Sequence, residues 1–473
     1  MGTINSAFSL ISQGLDADQA ALSVVANNVA NANTPGYTEE TPNWQENQPI
    51  NINGVSYGDG VTETGSTSVR DNVLVERLDQ QQQSASASSA RLTALNTLQA
   101  LFTPDSGSSS SAAGDIGSDL TGFFSSLSSL EANPADNSLR QNVLSTAGTL
   151  AGDISNAASS LNSQRSALDQ EAAGVTSQVN SLTGAIAQLN QQIMTTSPDA
   201  DAGTLEDQRQ QDLSQLSQLI GINRVTTENN GLEITTTSGQ LLVSNGTSVQ
   251  MTSGTVSGVT NFYLGGINIT EPLASGGGQL GGYLTARDGD IPNALTSLDQ
   301  LAYSVSTEVN AQNNAGTDLD GVSGTKVAPL NIFSEPTSVS GSAATMSVVM
   351  SDPNQISAAG LNDGTGDNSN VTAMANLANQ QVVNGQTPTN YYSNFVSTLG
   401  ATVSSVQTEN TAQNASVTQL QTQNDALSSV NLDDEASSMT TLERSYQAAS
   451  QVFTMLNTIM ASALNLGEET TVS

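Results

Sequence analysis

The chain has 473 residues, no cysteine, no histidine, and ten Lys plus Arg against 44 Asp plus Glu, which gives a formal net charge of -34. Such a charge repels phosphate backbones and anionic lipid headgroups, so we expect neither a nucleic-acid partner nor a membrane partner. The missing residue types exclude disulfides, thiol nucleophiles and histidine-based triads, and they leave carboxylates as the remaining candidates for catalysis.

No targeting segment is visible in the sequence. A secretory signal carries a basic region before its apolar core, whereas the first basic residue here is Arg70. No apolar run reaches the length of a membrane span. We therefore expect that the chain, if exported, leaves the cell without a cleaved signal peptide.

The N-terminal segment carries a heptad pattern. Its apolar positions alternate by three and four, with Asp18 at the one polar step, and they are Ile4, Phe8, Ile11, Leu15, Leu22, Val25 and Val29. The pattern predicts an amphipathic helix that packs against a helical partner. The helix should end at Asn33-Thr34-Pro35-Gly36, because proline blocks helical continuation and glycine permits a turn.

Further apolar patterns predict helices in the interior of the chain. They run from Leu74 to Phe102, from near Leu139 to Ile193, from Leu205 to Ile220, from Asp290 to Gln312 and from Phe395 to Val430.

Two interior stretches read as β-structure, and a third as a loop. From Val225 to Leu284, turn signals such as Asn230-Gly231 separate short runs of β-forming residues and predict hairpins. From Gly316 to about Val371 the chain is rich in Gly and Ser, with one strand predicted at Thr345 to Met350. The low-complexity stretch from Ser106 to Ser118 predicts a loop.

The C-terminal segment repeats the heptad pattern. The seam residues are Met439, Leu442, Tyr446, Ala449, Phe453, Leu456, Met460 and Ala463, and Val452, Met455, Ile459 and Leu466 widen the apolar face. This face is broader than a two-stranded coil would cover. Asp433, Asp434 and Glu435 lie at the predicted helix start, where carboxylates oppose the positive end of the helix dipole, and capping is the expected role for them.

Together these elements predict a mainly α protein with β-rich insertions. We expect an elongated multidomain rod of long antiparallel helices, with the N- and C-termini paired and the central β domains at the outer end. The predicted segments are an N-terminal axial helix segment at 1–50 that pairs with 432–473, a helical rod domain at 51–225, a β-hairpin-rich region at 226–284, a rod helix at 285–315, a β-rich insertion at 316–375, a return helix at 376–431 and a C-terminal axial helix at 432–473.

Two sequence motifs at the chain ends carry a resemblance to a known family. The stretch ANNVANANTPGYT, from Ala26 to Thr38, and the stretch from Val430 to Leu466 resemble the terminal signatures of the flagellar rod, hook and hook-associated axial proteins. The family pattern usually places a basic residue after the Tyr-Thr pair, whereas Glu39 and Glu40 follow here. The resemblance implies that the residues forming the axial tube and its subunit and chaperone contacts are Ile4, Phe8, Ile11, Leu15, Leu22, Val25, Asn28, Asn31, Pro35, Gly36, Tyr37, Met439, Leu442, Tyr446, Phe453, Leu456 and Met460.

Interior motifs are similar to those of the hook-associated members that form the hook–filament junction. They are DLTGFFSSLSSLEANPAD (Asp119 to Asp136), LEDQRQQDLSQLSQLIGI (Leu205 to Ile222) and GGGQLGGYLTARD (Gly276 to Asp288). The resemblance implies a structural, non-enzymatic protein without a cofactor, located in the extracellular flagellum. It implies as partners the hook protein, a second junction protein, copies of the same chain in a ring, an export chaperone and the type III export apparatus.

Other interpretations remain open. A flagellin-like filament protein, the second junction protein or a coiled-coil surface adhesin is the alternative, and a carboxylate-dependent enzyme such as a glycan hydrolase is more remote. The glycine run from Gly276 to Gly282 is not followed by lysine, which argues against a phosphate loop. Asp318, Asp320 and Gly321 resemble half of a calcium loop, but Val327 stands where the bidentate Glu would be, so a tight turn is predicted.

Overall fold

The structure is a computed structural model, and it describes residues 2–52, 55–103, 116–196, 201–256, 258–324 and 329–468. Within these residues long helices dominate and several small antiparallel sheets are inserted between them. The predicted class, mainly α with β-rich insertions, is confirmed.

The helices include a pair at the two ends of the chain and several long interior ones. In chain order they are α1 (Gly2–Asn31), α2 (Asn72–Ala100), α3 (Ile116–Glu131), α4 (Asn137–Thr196), α5 (Thr204–Leu219), α6 (Thr270–Gly276), α7 (Gly278–Thr285), α8 (Ile291–Ala315), α9 (Ser342–Thr345), α10 (Ser369–Asn376), α11 (Pro388–Ser428) and α12 (Leu432–Glu468). A π-helical turn at Ala286–Asp290 joins α7 to α8.

The strands fall in two parts of the chain. They are β1 (Glu40–Glu46), β2 (Ile50–Ile52), β3 (Val55–Tyr57), β4 (Val61–Ser68), β5 (Ile222–Thr226), β6 (Leu232–Thr236), β7 (Leu241–Ser244), β8 (Thr247–Ser248), β9 (Met251–Val256), β10 (Val259–Leu264) and β11 (Ile267–Asn268). The pairs β1–β4 and β2–β3 form a two-stranded ribbon after α1, whereas β5 to β8 and β9 to β11 form sheets of four and three strands. All recorded pairings are antiparallel.

The terminal helices α1 and α12 pack against each other in antiparallel orientation. The rings of Phe8 and Phe453 lie 4.5 Å apart between centroids, and at the other end of the pair Asn28 contacts Glu435. The pairing of the two chain ends, predicted from their heptad patterns, is therefore confirmed.

Two hydrophobic cores follow one another along α4. The first half of α4 packs against α3, α8 and α9 and shares its core with α2, α10 and α11. The second half packs against α5 and α7 and shares its core with the sheets of β5 to β10. A helix of this length, 60 residues, extends about 90 Å. The β-structure is therefore held against one end of a helical rod.

The prediction of hairpins up to Leu284 is correct as far as β11 and wrong beyond it. Residues 270–285 form α6 and α7, and the glycines there serve close helix packing. A Cβ on Gly282 would lie 2.3 Å from the carbonyl oxygen of Ala87 in α2, so only glycine allows the two helices to approach this closely. The four-residue spacing of the buried Leu280 and Leu284 is the sequence signal for a helix here.

The β-rich insertion predicted at 316–375 is also wrong for the residues that the structure describes there, and so is the strand at Thr345 to Met350. Apart from isolated bridges, such as that between Phe333 and Val348, side chains rather than a strand ladder satisfy this backbone. The amide oxygen of Asn310 accepts hydrogen bonds from the backbone N–H groups of Ile332 and Phe333, each at 3.0 Å. The buried guanidinium of Arg140 donates to the carbonyl oxygen of Ile356 at 2.6 Å. The segment therefore packs onto the helices as an irregular layer.

The ribbon of β1 to β4 lies where the predicted segments 1–50 and 51–225 contain only helices. The longer strands β1 and β4 carry no apolar alternation, and the exposed Trp44 follows a register shift at Pro42, which cannot donate a ladder hydrogen bond. The short strands β2 and β3 do alternate, as Ile50-Asn51-Ile52 and Val55-Ser56-Tyr57. Residues 106–115 of the loop predicted at 106–118 lie outside the described part of the chain, and α3 begins at Ile116. None of the helices that the structure describes is long and apolar enough to cross a membrane.

Candidate assembly interface at the paired terminal helices

The seam of α12 lies against α1 as the heptad spacing requires. Met439, Leu442, Phe453, Leu456 and Met460 are half-buried, and Tyr446 is exposed near the middle of the helix. Because positions three and four residues apart share one helix face, these side chains form a continuous line toward α1.

The opposing seam of α1 is covered to a similar degree. Phe8, Ile11, Leu15 and Leu22 are half-buried, and Val25 is buried. Ile4 belongs to α1, but its side chain lies outside the described part of the chain. Val29, the last position of the predicted N-terminal pattern, is exposed instead. The other described seam residues of α1 lie on the surface that faces α12.

A second apolar line on α12 has no partner in the described residues of the chain. Val452, Met455 and Ile459 are exposed, and Met455 has 63% of its surface accessible. These residues point away from the seam, so α1 covers only part of the apolar face of α12. In a single copy of the chain, this apolar line on α12 therefore stays exposed to solvent.

The base of the helix pair is held by a buried polar group, which we call the Asn28 cluster (Asn28, Tyr37, Glu40 and Glu435). The side-chain amide of Asn28 donates to a carboxylate oxygen of Glu435 at 2.7 Å and to the carbonyl oxygen of Glu40 at 2.8 Å. Its amide oxygen accepts from the Tyr37 hydroxyl at 2.8 Å and from the Glu40 N–H at 3.0 Å. All the hydrogen-bonding groups of this amide are thereby used, and one side chain ties α1, the following turn, β1 and α12 together.

The acidic residues of this base are not simply helix caps. Asn431 caps α12 through its side-chain oxygen, which accepts from the Asp433 N–H at 3.1 Å. Glu435 is only 5% exposed and serves as the acceptor for Asn28. The capping role predicted for Asp433, Asp434 and Glu435 is therefore wrong for Glu435, whose contact lies 407 positions away and leaves no local sequence pattern.

Burial and neighbouring carboxylates shift two pKa values here. Burial, with Glu40 and Asp207 as the next largest influences, raises the pKa of the Tyr37 hydroxyl, so it is a neutral donor to Asn28. Burial also raises the pKa of Glu39, and the negative charges of Glu435 and Asp434 raise it further. Glu39 therefore faces like charges at the base of the helix pair.

The turn that follows α1 is built by asparagine side chains. The Asn31 amide donates to the carbonyl oxygen of Asn27 at 3.0 Å, and the Thr34 hydroxyl donates to the side-chain oxygen of Asn31 at 3.2 Å. Pro35 and Gly36 are exposed, and Gly36 adopts φ 81°, which favours glycine. Asn31, Pro35 and Gly36 thus shape the exit of the chain, while Asn28 makes the contact with α12 and Tyr37 donates to Asn28.

An ion-pair group that the sequence did not indicate fixes this exit to the rod. Arg70 pairs with Glu206, at 3.2 Å, and with Asp207 at the start of α5. A carboxylate oxygen of Asp207 also accepts from the Thr38 N–H at 3.1 Å. Since the three charged side chains are mostly buried, the group links the base of the helix pair to the rod.

The two glycine motifs considered for ligand binding have structural roles. Asp318 accepts hydrogen bonds from the N–H groups of Asp320 and Val322, at 3.0 and 2.7 Å, and Gly321 adopts φ 77°. This is the tight turn that was predicted, although Val327 lies outside the described residues. The motif from Gly276 to Gly282 provides helix packing. Across the described ranges no group of three or more Asp and Glu side chains is placed to hold a metal ion.

Comparisons with known proteins converge on flagellar components. Residues 105–327 match the family described as the helical domain of the flagellar hook-associated protein FlgK. Residues 12–38 match the flagella basal body rod protein family, and residues 423–466 match the C-terminal family of the flagellar basal body rod proteins FlgEFG. The two terminal matches contain much of α1 and α12.

Relatives match the chain along almost its whole length. The flagellar hook-associated protein 1 of Escherichia coli is 26% identical over 98% of this chain and 99% of its own length. The protein of the same name from Bacillus subtilis is 26% identical over 96% of each chain. The solved structure of the flagellar hook junction protein from Burkholderia pseudomallei shares the fold, with a TM-score of 0.62 and 20% identity over 73% of this chain and 99% of that one.

Proposed function

Because the chain belongs to the flagellar hook-associated protein family, we propose that it is a structural component of the bacterial flagellum that joins the hook to the filament. The observation that carries this proposal is the similarity to flagellar hook-associated protein 1 over nearly the full length of both chains. The match includes both the terminal helices and the interior of the chain. A flagellin-like protein or an adhesin would not need to match in the interior as well as at the ends.

The geometry of the helix pair supports a role in assembly. Its seam is filled within one copy, but the line of Val452, Met455 and Ile459 is left uncovered. Apolar surface of this kind is stabilised when another protein covers it. Copies arranged as a ring, with the α1–α12 pairs side by side, would bury this line and leave the rod and the sheets outside.

The finer assignments extend this proposal. The hook protein and a second junction protein are the expected axial neighbours, and an export chaperone and the type III export apparatus are the expected earlier partners. The chain would reach the cell exterior without a cleaved signal peptide and would act as a structural rather than a catalytic protein. The uncovered line on α12 supports a chaperone, because such a surface requires shielding before assembly.

A deletion strain tests the proposed function. Cells that lack this chain should still build hooks but should shed filament subunits into the medium, and a plasmid copy of the gene should restore attached filaments. Electron microscopy of the hooks and immunoblots of the medium measure both results. Filaments that stay attached in the deletion strain would contradict the proposal.

A further inference from the structure

The two terminal helices carry few charges, and the exposed ones are unpaired. Asp16 and Asp18 are the charged residues of α1, and Arg444 is the single basic residue of α12. Asp16 and Arg444 are exposed, and neither makes an ion pair within the residues that the structure describes.

Arg444 points away from α1. The residues of α12 that face α1 recur at the heptad spacing of Leu442 and Tyr446, and residue 444 lies midway between these two positions. Two residues correspond to about 200° of rotation around a helix, so the Arg444 side chain leaves α12 on the side opposite to the seam. It cannot reach Asp18, which occupies the seam of α1 in the same copy.

Asp16 also lies on a free face. It shares this face of α1 with Ser9, Gln19, Ser23 and Ala26, all of them exposed. The other flank of α1, represented by Ala17 and Ala21, is buried, and α1 contacts β1 and β4 of the ribbon. Asp16 is therefore the one charge on the part of α1 that neither α12 nor the ribbon covers.

The two charges lie at the same height along the helix pair. Phe8 is opposite Phe453, and Asn28 is opposite Glu435. Because the helices are antiparallel, the residue numbers of two facing residues add up to about 462. Asp16 is accordingly level with Tyr446, and Arg444 is two residues, or about 3 Å along the helix axis, away. Copies placed side by side therefore need only a small axial shift to bring the two charges together.

We propose that Arg444 of one copy pairs with Asp16 of the neighbouring copy, so that this pair sets the lateral register of the α1–α12 helices in the assembled ring. The partner is a second copy of this chain, because the two charges are opposite in sign and lie at the same height along the helix pair. Both side chains also lie on surfaces that their own copy does not cover. The inference rests on the proposed function, since it concerns the ring that function requires. Ion pairs of this kind contribute mainly specificity and register rather than affinity.

Charge reversal with a compensating swap tests the pair. Plasmids encoding Arg444→Glu, Asp16→Arg and the double variant are introduced into the deletion strain, and attached filaments per cell are counted beside the wild-type plasmid. Cells with either single variant should carry at least tenfold fewer attached filaments than cells with the wild-type plasmid, and the double variant should restore most of them. Wild-type counts for both single variants, or a double variant no better than the singles, would overturn the proposal. Because both side chains are exposed in a single copy, circular dichroism melting of each purified variant should match the wild type.

A cross-linking measurement does not depend on motility. The chain has no cysteine, so the double variant Ser23→Cys and Ser437→Cys adds two thiols to a cysteine-free background and keeps both charges. Each variant replaces an exposed serine that lies seven residues from Asp16 or Arg444 on the same helix face, so the proposed register brings the two thiols together. A short bis-maleimide applied to isolated hook-basal bodies should yield a ladder of linked copies. The control pair Ser9→Cys and Ser437→Cys moves the first thiol 14 residues, about 21 Å, along the same face of α1 and should give a much weaker ladder. Ladders of equal strength from the two pairs would refute the register and leave the proposed function standing. So would the absence of a ladder from the first pair in an experiment in which the wild-type protein retains filaments. Retained filaments in the deletion strain would instead refute the function itself.

Discussion

The side-chain amide of Asn28 donates a 2.7 Å hydrogen bond to the carboxylate of Glu435, which joins the two ends of the chain at the base of their helix pair. Asn28 is 1% exposed, so neither partner can exchange this contact for water without opening the cluster. The contact leads to the first prediction.

Asn28→Ala should loosen the base of the helix pair. It leaves the Glu435 carboxylate and the Tyr37 hydroxyl without their shared partner, at a cost of about 1–3 kcal/mol for the buried acceptor. Hydrogen exchange in the first turns of α12 should become at least several-fold faster, while α4 keeps its protection. Asn33→Ala, in the same motif but exposed, is the matched control. Unchanged exchange in α12 would show that Asn28 does not hold the pair.

Phe453→Asp or Leu456→Asp should prevent stable junction assembly while the rod and the sheets stay folded. Each change places a charge in the seam beside α1, where Phe453 meets Phe8, and an unpaired charge in a packed interface costs several kcal/mol. Motility and filament retention measure the assembly, and thermal melting followed by circular dichroism measures the rod. Asn457→Asp, exposed on the same helix, controls for the added charge. Normal motility of the seam variants would refute this prediction.

Asp79 should make the stability of the rod depend on pH. Burial raises its pKa to about 6, against the opposing influence of Arg224 and the Gln210 hydrogen bond. Between about pH 4 and 6 the folded chain binds a proton at Asp79 that the unfolded chain has released, so this group favours folding more as the pH falls through 6. The contribution is lost above pH 6 and has an upper limit of about 3 kcal/mol.

Urea unfolding at pH 5 and pH 7.5 gives the change in the free energy of unfolding between the two pH values, which is compared between the wild type and each variant. Asp79→Asn should reduce the gain in stability on going to pH 5, whereas Glu308→Gln, which changes an exposed carboxylate on α8, should not. An unaltered gain in Asp79→Asn would mean that other carboxylates carry the pH dependence.

Arg140→Met should detach the irregular layer at 329–376 from α4. The guanidinium donates at 2.6 Å to the carbonyl oxygens of both Pro134 and Ile356, and a methionine leaves these buried acceptors unsatisfied. We expect a loss of about 2–5 kcal/mol in the free energy of unfolding. Limited proteolysis should show new cleavage within this layer. Arg165→Met, on the same helix, should change stability by no more than about 0.5 kcal/mol, as surface substitutions usually do.

The C-terminal helix should be the part that an export chaperone binds. A peptide covering Leu432 to Leu466 contains the seam and the uncovered line, whereas a peptide covering Ile4 to Val29 has a narrower seam interrupted by Asp18. Calorimetry with the cognate chaperone should give clear binding for the first peptide and weak or no binding for the second. Equal affinities, or a preference for the N-terminal peptide, would contradict the prediction.

The long helices could be predicted because their apolar residues repeat every three or four positions, as in α1, α4 and α12. The strands β1 and β4 could not, since strands with both faces solvated show no apolar alternation. The strands β2 and β3 could have been predicted, because Ile50-Asn51-Ile52 and Val55-Ser56-Tyr57 alternate on either side of Asn53-Gly54, which is a hairpin signal. The layer at 329–376 was misread because asparagine side chains such as Asn310 replace the strand ladder, and composition does not reveal that substitution. In the helix pair, the seam followed from spacing, and the terminal motif indicated Asn28 and Tyr37. Glu435 and Arg70 act through contacts with residues 407 and 136 positions away, which no local pattern encodes.

The continuous course of α4 through both hydrophobic cores couples their stabilities. One face of its first half completes the helical core, and one face of its second half completes the core beneath the sheets. Fraying of either core would expose part of a helix whose hydrogen-bonded backbone runs without interruption into the other. The two halves are therefore thermodynamically cooperative, and a load applied to the sheets is carried along the axis of one helix rather than through a hinge.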